Sequence, residues 1–413
     1  MTKRAVTRGL SLLLSAGALL GTGGLPVARA SASAPAAPAG GNPAQVLVKY
    51  RPGTADAEIE HFERRAGAAH VADVYRLGVR VLRAANPEGT GRLLDATRRN
   101  PAVAYAELDG SGALSGLIPN DPYWSSQWGS VKVNAPAAWA STTGSETVVI
   151  ATLDTGAALA HPDLSGAFVP GWDFVNNDSD PSDDHGHGTS VAGIAAARTN
   201  NGTGMAGTCW NCRIMPVKVA TATGSVSWST LASGITWAAD HGAQVISMSI
   251  TGASSTTTLA DAVTYAHNHN VVLVAAAGNT GNTALGYPAA LPGVISVGGS
   301  DQNDARYSFS AYGDWVDVAA PGCNQATTMA GGYRSSFCGT SAATPVVAGI
   351  AALAISARPG VANTAVEDGI RSSAIPVGSW VHYGRVDAAA TLSTILSGTS
   401  TSTTSSTTTT TTT

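Results

Sequence analysis

The sequence predicts an α/β protein: a mostly parallel sheet with helices on both faces, preceded by a small α+β unit. Three observations carry this. From about residue 147 onward, continuous apolar runs alternate with helical stretches, as in parallel strands covered on both sides. Upstream, residues 45–109 follow a β-α-β-β-α-β succession instead. Low-complexity joins rich in Ala, Pro, Ser and Gly flank that smaller unit, at 31–44 and 110–122.

The chain begins with Lys3, Arg4 and Arg8, then the apolar run Leu10–Leu20, then Ala28-Arg29-Ala30. A basic start, an apolar middle and a small-x-small ending describe a secretory signal peptide, residues 1–30, cut after Ala30. The run is too short for the ~20 residues that span a bilayer, and no integral membrane segment is expected. The expected location is therefore extracellular, where disulfides persist. Cys209, Cys212, Cys323 and Cys338 are read as two structural bridges, 209–212 and 323–338, although four cysteines allow three pairings and sequence alone does not choose. Zinc would want a second close pair or nearby histidines.

In the small unit, within residues 31–115, QVLVKY is strand-like and ADAEIEHFERRAG is an amphipathic helix. VYRLGVRVLRA is strand-like, GTGRLLDATRRNP helical, and VAYAELD a closing strand. The larger domain, residues 116–396, reads as strand TVVIATLD, helix GTSVAGIAAA, strand RIMPVKV, helix WSTLASGITWAADHG and strand AQVISMSI. Helix TTTLADAVTYAHNH, strand VVLVAAAGN and the long helix TSAATPVVAGIAALAIS follow. Residues 397–413 are Ser/Thr-rich, cannot bury a core, and are expected to be a disordered tail. Charge divides with these boundaries. Residues 31–115 hold ten basic and nine acidic side chains, whereas nine basic and eighteen acidic ones follow. Nothing in this balance suits nucleic-acid binding.

In open parallel sheets chemistry collects at the carboxyl ends of strands. Asp154 ends one predicted strand, His187 sits just before a small-residue helix, and Ser341 opens the long helix. A serine hydroxyl needs a base to become a nucleophile; an imidazole supplies it, and a carboxylate fixes the imidazole's tautomer. Asn279 ends another strand, where its amide, with the Ser341 N–H, can hold an oxyanion. Singly these are a turn former, a surface histidine, a helix cap and a loop amide. In the order Asp…His…Ser they form a hydrolytic constellation. The neighbouring His185 has no ligand set for a metal and is expected at the surface.

The blocks ATLDTG, GHGTSVAG, AAAGN and GTSAATP resemble the signature blocks of the subtilisin-like serine proteases. The likeness extends through HPDLSG, GWDFVNNDSD, TNNGTGMAG and GYPAALPGVISVGG, about Pro119 to Ala390, and is strongest to the family's thermitase-like members. The resemblance implies a subtilisin-like fold and a secreted, monomeric endopeptidase that acts on polypeptides through an acyl-enzyme. Asp154 would orient His187, His187 would act as base and acid, Ser341 as nucleophile and Asn279 as oxyanion donor. The small unit resembles the family's ferredoxin-like inhibitory propeptide, which assists folding and is removed by self-cleavage between Ala113 and Pro119. The substrate cleft would be lined by Ser249, Ile250, Thr251, Ala276, Ala277, Gly278 and Gly286. These carry no charge and imply large apolar or aromatic P1 residues. Structural Ca2+ is implied at one or two sites. One is the loop bearing Asp173, Asn176, Asp178 and Asp180; the other joins Asp121 and Asp163 to Arg198, Asn201, Thr203 and Met205, which offer the oxygen ligands calcium prefers.

An α/β-hydrolase esterase is excluded, because no serine has the G-x-S-x-G context and the order of the triad is reversed. A catalytically dead scaffold is disfavoured, because all four catalytic positions carry competent residues. The family usually has Met after the nucleophile, and this chain has Ala342, which removes an oxidation-prone sulfur. Activity on a peptide substrate is expected to persist in dilute peroxide, and Ala342→Met to make it decay. Rapid loss in both proteins would overturn this.

Overall fold

The computed structural model describes residues 45–74, 76–86, 89–109 and 116–398. The signal-like segment, the 31–44 spacer, residues 110–115 of the second join and the tail beyond residue 398 lie outside the described residues. Two compact units divide between Ala113 and Leu114.

The first unit contains β1 (Gln45–Tyr50), α1 (Asp56–Arg65), β2 (Ala68–Val74), β3 (Val79–Ala84), α2 (Thr90–Arg99) and β4 (Val103–Leu108). Its antiparallel sheet runs β2-β3-β1-β4, the ferredoxin-like order. Val46, Val48, Leu82 and Leu93 form the centre of its core with Ile59 of α1. The stretch VYRLGVRVLRA reads as one strand by apolar pattern, but here the chain turns within it. Arg76 and Gly78 both take left-handed φ values, 60° and 59°, and β2 folds back on β3.

The second unit contains α3 (Trp128–Lys132), α4 (Ala135–Trp139), β5 (Val149–Asp154), β6 (Trp172–Asp173), α5 (His187–Ala196), β7 (Arg213–Lys218), α6 (Trp228–Asp240), β8 (Val245–Met248), α7 (Thr257–Asn268) and β9 (Val272–Ala276). There follow β10 (Val294–Ser300), β11 (Val318–Pro321), β12 (Cys323–Thr327), β13 (Tyr333–Cys338), α8 (Thr340–Ala357), α9 (Asn363–Ser372), β14 (Gly384–Arg385) and α10 (Ala388–Ser397). Eight strands form one sheet, β14-β11-β10-β9-β8-β5-β7-β6, in which every pairing is parallel.

Alternation along the strands builds two cores. Ile150, Ile214, Val245, Val272 and Val274 face α5 and α8, whereas Ala151, Leu153, Met215, Ile246 and Leu273 face α6 and α7. These strands are therefore buried on both faces and largely apolar, which is why they read as nearly continuous runs. Helix α8 is the one described helix long and apolar enough to cross a bilayer, but 89% of it is buried in the core. Strand order reverses at β5, with β7 on one side and β8 on the other. The carboxyl ends of β5, β8 and β9 thus open side by side at the switch point.

Candidate active site

Each site residue sits where a regular element ends. Asp154 is the last residue of β5 and is 2% exposed. His187 is the first residue of α5, entered through Gly186 in a left-handed conformation. The ring Nδ1 donates to Asp154 Oδ1 at 2.7 Å, and the Thr155 N–H donates to the same oxygen at 2.8 Å. That bond fixes the proton on Nδ1 and leaves the Nε2 lone pair free to accept one. Burial pushes the imidazole pKa down, but the charge and hydrogen bond of Asp154, helped by Asp183, carry it above the ordinary histidine value against the opposing Arg334.

Ser341 is the second residue of α8 and is 9% exposed. Its hydroxyl donates to the Ser249 carbonyl at 3.3 Å, and the Ser249 hydroxyl donates back to the Ser341 carbonyl at 3.0 Å. The second bond has a local cause. Pro345 lies four residues on and has no N–H, so the Ser341 carbonyl lacks its helical partner and Ser249 supplies one.

Asn279 Oδ1 accepts the Thr340 N–H at 2.9 Å and the Thr340 hydroxyl at 3.1 Å, which commits the oxygen and turns the NH2 group outward. Gly339 makes room for this amide, since a Cβ there would lie 3.2 Å from Nδ2. The Asn279 NH2 and the N–H groups at the start of α8 can together receive a developing negative charge.

Beside Ser341 and Asn279 opens a cavity of about 400 Å³, lined in part by Ser249, Thr251, Ala277, Gly278 and Gly286, with no ionisable side chain in its wall. A Cβ at Gly286 would come within 2.4 Å of the Ala277 carbonyl, so the glycine keeps the wall open. Ile250 and Ala276 do not line this cavity. Ile250 packs into the core beneath, and the Ala276 carbonyl accepts the Thr251 hydroxyl. Leu285, Ala284, Ala253 and Thr280 join the wall instead; they lie in loops without periodicity, where sequence offers no signal.

The loop before α5 is organised by Asp183. Its carboxylate accepts the N–H groups of His185, Gly186 and Thr189 and the hydroxyls of Thr155 and Thr189. Asp184 instead meets the buried Lys218 Nζ at 2.5 Å. His185 is exposed, as expected. Ser190 ties α5 to Thr327 by donating to its carbonyl at 2.8 Å. Both disulfides pair as read from the sequence, Cys209 with Cys212 and Cys323 with Cys338.

The two acidic loops differ. Asp121 and Asp163 are both buried, and neither forms an ion pair among the described residues. The loop from Arg198 wraps them: Asn200 N–H reaches Asp121, while Asn201 Nδ2 and the Met205 N–H reach Asp163. Burial, with the charge of Asp121, pushes the Asp163 carboxyl up to about 6. Two buried carboxylates beside an amide and loop carbonyls suit a hard divalent cation. Arg198 can contribute only its main chain, because its side chain pairs with Glu146. In the other loop each carboxylate turns onto its own neighbours. Asp173 accepts from Val175 and Asn176, Asp178 from Asp180 N–H, and Asp180 from Ser182. Those side chains do not converge, and no described group of three or more His, Cys, Asp or Glu gathers as metal ligands.

The Subtilase family model matches residues 145–409. Thermitase of Thermoactinomyces vulgaris is 49% identical over 274 residues, 65% of this chain and 97% of its own length. The thermophilic serine proteinase of Bacillus sp. (strain AK1) is 41% identical over 350 residues, covering 83% of this chain and 86% of its own. Among solved structures, a protease of Pseudoalteromonas arctica aligns with a TM-score of 0.63 at 32% identity, over 68% of this chain and all of that one.

Burial pushes the Asp183 carboxyl up, but the Thr189 hydroxyl and the surrounding N–H donors outweigh it and hold the group below its ordinary value. A carboxylate depressed in the fold stabilises above its unfolded pKa, about 4, and loses that contribution as pH falls through the lower folded value. Asp183→Ala is expected to cost about 1–3 kcal/mol at pH 7, measured by denaturant titration of the inhibitor-blocked enzyme, and less at pH 3. An equal loss at both pH values would assign the effect to packing.

Proposed function

As this chain belongs to the subtilase family and is a serine endopeptidase, we propose that Asp154, His187, Ser341 and Asn279 carry its chemistry and that it is exported as a self-processing zymogen. The observation that carries the assignment is the 2.7 Å bond from His187 to a buried Asp154, at the strand end beside the helix that Ser341 opens.

Ser341 Oγ leaves the Ser249 carbonyl, passes its proton to His187 Nε2 and attacks the scissile carbonyl. Asp154 stabilises the resulting imidazolium. The oxyanion is met by the Asn279 NH2 and the Ser341 N–H, which are already oriented before the substrate arrives. One such side-chain donor contributes about 2.7–4 kcal/mol in subtilisin, a member of this family, and the figure is carried over from there. His187 then protonates the leaving amine, and water repeats the sequence to release the acyl group.

The uncharged cavity beside Ser341 supports a preference for large apolar or aromatic P1 side chains, which gain by leaving water. The ferredoxin-like unit supports the propeptide reading, and the basic-apolar-small N-terminus supports secretion. Ser341→Ala is expected to accumulate the unprocessed chain, and the mature wild-type enzyme to cleave peptide anilides with Phe or Leu at P1 in preference to Lys or Asp. Efficient self-maturation of Ser341→Ala would remove Ser341 from the nucleophile's role.

Calcium is proposed at Asp121, Asp163, Asn201 and the carbonyls of the Arg198–Met205 loop, including Thr203, where it would neutralise two buried acids and brace the loop. The melting temperature of wild type is expected to rise with calcium relative to chelator, and the rise to shrink in Asp163→Asn. No rise in wild type would sink the site.

A further inference from the structure

Strands β12 and β13 form a hairpin outside the main sheet, and this hairpin joins the helix of the base to the helix of the nucleophile. On the β12 side, the Thr327 hydroxyl donates to the Thr189 carbonyl at 2.6 Å and the Thr327 carbonyl accepts Ser190 Oγ at 2.8 Å; both partners belong to α5 just after His187. On the β13 side, Phe337 is 8% exposed and packs edge-on to the His187 ring, with centroids 5.2 Å apart. Cys338 follows, then Gly339, then α8 with Ser341. Cys323 stands directly opposite Cys338 and is bonded to it, and Asn324 stands opposite Phe337. The register shifts between Asn324 and Ala326 before pairing resumes at Ala326–Arg334 and Thr327–Tyr333, so the ladder is irregular just beyond the Phe337 position. A two-stranded ladder is marginal by itself; at this end the covalent bond takes its place. Cys338 is exposed, whereas Cys209 and Cys212 are fully buried, so a reductant meets the hairpin bridge first.

We propose that the Cys323–Cys338 bridge and Phe337 are a positioning device for the His187–Ser341 pair, and that opening the bridge with a dithiol turns the enzyme down without unfolding it. This rests on the catalytic roles assigned above. A thiolate of the dithiol attacks Cys338 Sγ; the S–S bond breaks and Cys323 leaves as a thiolate that takes a proton. The second thiol of the reductant then attacks the mixed disulfide, releasing the Cys338 thiol. The protein gains two electrons and two protons, and the reductant leaves as its cyclic disulfide. Phe337 and the turn into α8 then lose their one covalent tie to β12. They keep only non-covalent holds: the irregular ladder, the Gly339 N–H to the Gly322 carbonyl and the packing of Phe337. A displacement of about 1 Å at a reacting group can cost ~100-fold in rate.

The pH profile separates positioning from bulk stability. The groups facing His187 are Asp154 at the end of β5, Asp183 and His185 in the loop before α5, and Arg334 on β13, whose guanidinium lies 5.9 Å from the Phe337 ring. Phe337 shields the imidazole from water and Arg334 opposes its charging. Loosening the hairpin weakens both effects, so the acid limb of kcat/KM moves to higher pH.

The test treats the mature enzyme with a dithiol, locates the freed thiols by alkylation and peptide mapping, and compares kinetics and circular dichroism before reduction, after it and after reoxidation. With only Cys323 and Cys338 labelled, kcat on a peptide anilide is expected to fall about tenfold, with KM within about twofold. The acid limb should move up, the dichroism should be unchanged, and reoxidation should restore activity. Phe337→Leu, with the bridge intact, is expected to shift the acid limb the same way. Unchanged kcat and acid limb in a chain mapped as reduced would overturn the proposal. So would loss of dichroism together with activity, because the bridge would then hold the fold rather than the site. Fluorophosphonate labelling of the oxidised enzyme keeps the two readings apart: failure to label Ser341 overturns the catalytic assignment itself, whereas labelling with indifference to reduction overturns only the role of the hairpin.

Discussion

The arrangement depends on one buried charge. Asp154 sits at the end of a central strand, 2% exposed, where an isolated carboxylate is costly unless paired and hydrogen-bonded. Two donors meet Oδ1, the Thr155 N–H and His187 Nδ1, while Oδ2 has no hydrogen-bond partner among the described residues. The fold must therefore bring α5 to the end of β5, and much of the local sequence serves that approach. The helix is made of small residues and is buried along nine of its ten positions. Gly188 packs against Gly156 so closely that a Cβ would come within 2.2 Å of its carbonyl. Asp183 gathers the loop that delivers His187, and Lys218, at the end of the neighbouring strand β7, fixes that loop through Asp184 and the Thr155 carbonyl.

The Ser341 side follows a different logic. Helix α8 is a core helix whose apolar surface would serve any α/β protein, and its chemistry is confined to the first turn. There the helix starts in a glycine with φ 136°, carries Pro345 one turn further on, and leaves its early N–H groups toward the cleft. The proline costs a helical hydrogen bond, and Ser249 supplies a donor in its place, linking the end of β8 to the backbone of Ser341. Asn279, from the end of β9, closes the set by gripping Thr340. Three adjacent strand ends thus each hold one part of the candidate site, so the sheet's spacing becomes the spacing of its side chains.

How much of this the sequence reveals depends on how each part is encoded. Strands buried on both faces and helices of ten residues or more declare themselves as apolar runs and periodic stretches, and β5, β7, β9, α6, α7 and α8 follow those signals. Asp154, His187, Ser341 and Asn279 are legible because they abut these elements and stand in family blocks. The β12–β13 hairpin was not read as strands, since CNQAT and YRSSFC are polar segments whose pairing comes from a crosslink and from contact with α5. The position of the β2–β3 turn carries no pattern signal, because Arg76 and Gly78 adopt left-handed backbone within an apolar run. In the cleft, Ile250 and Ala276 fall in the expected segments, but Ile250 packs against the core and Ala276 is buried away from the cavity wall. A period-2 strand end sends alternate residues away from the site, and a segment match does not distinguish the faces.

The hairpin also shows that the acidic cradle and the active site are not independent parts. Tyr333 begins β13, and its ring packs on Tyr123 at 4.9 Å and edge-on to His161 at 5.3 Å. Its hydroxyl lies so near Asp163 that a Cβ at Gly204 would strike both, at 2.2 and 2.3 Å. His161 completes the contact: Nδ1 accepts the Asp163 N–H at 3.1 Å while Nε2 donates to the Gly332 carbonyl at 3.0 Å. Only a neutral imidazole with its proton on Nε2 can do both. One face of the hairpin therefore leans on the two buried acids, and the same strand, four residues later, presents Phe337 to His187. The loop that wraps Asp163 and the strand leading into Ser341 thus share one set of packed rings, those of Tyr333, Tyr123 and His161.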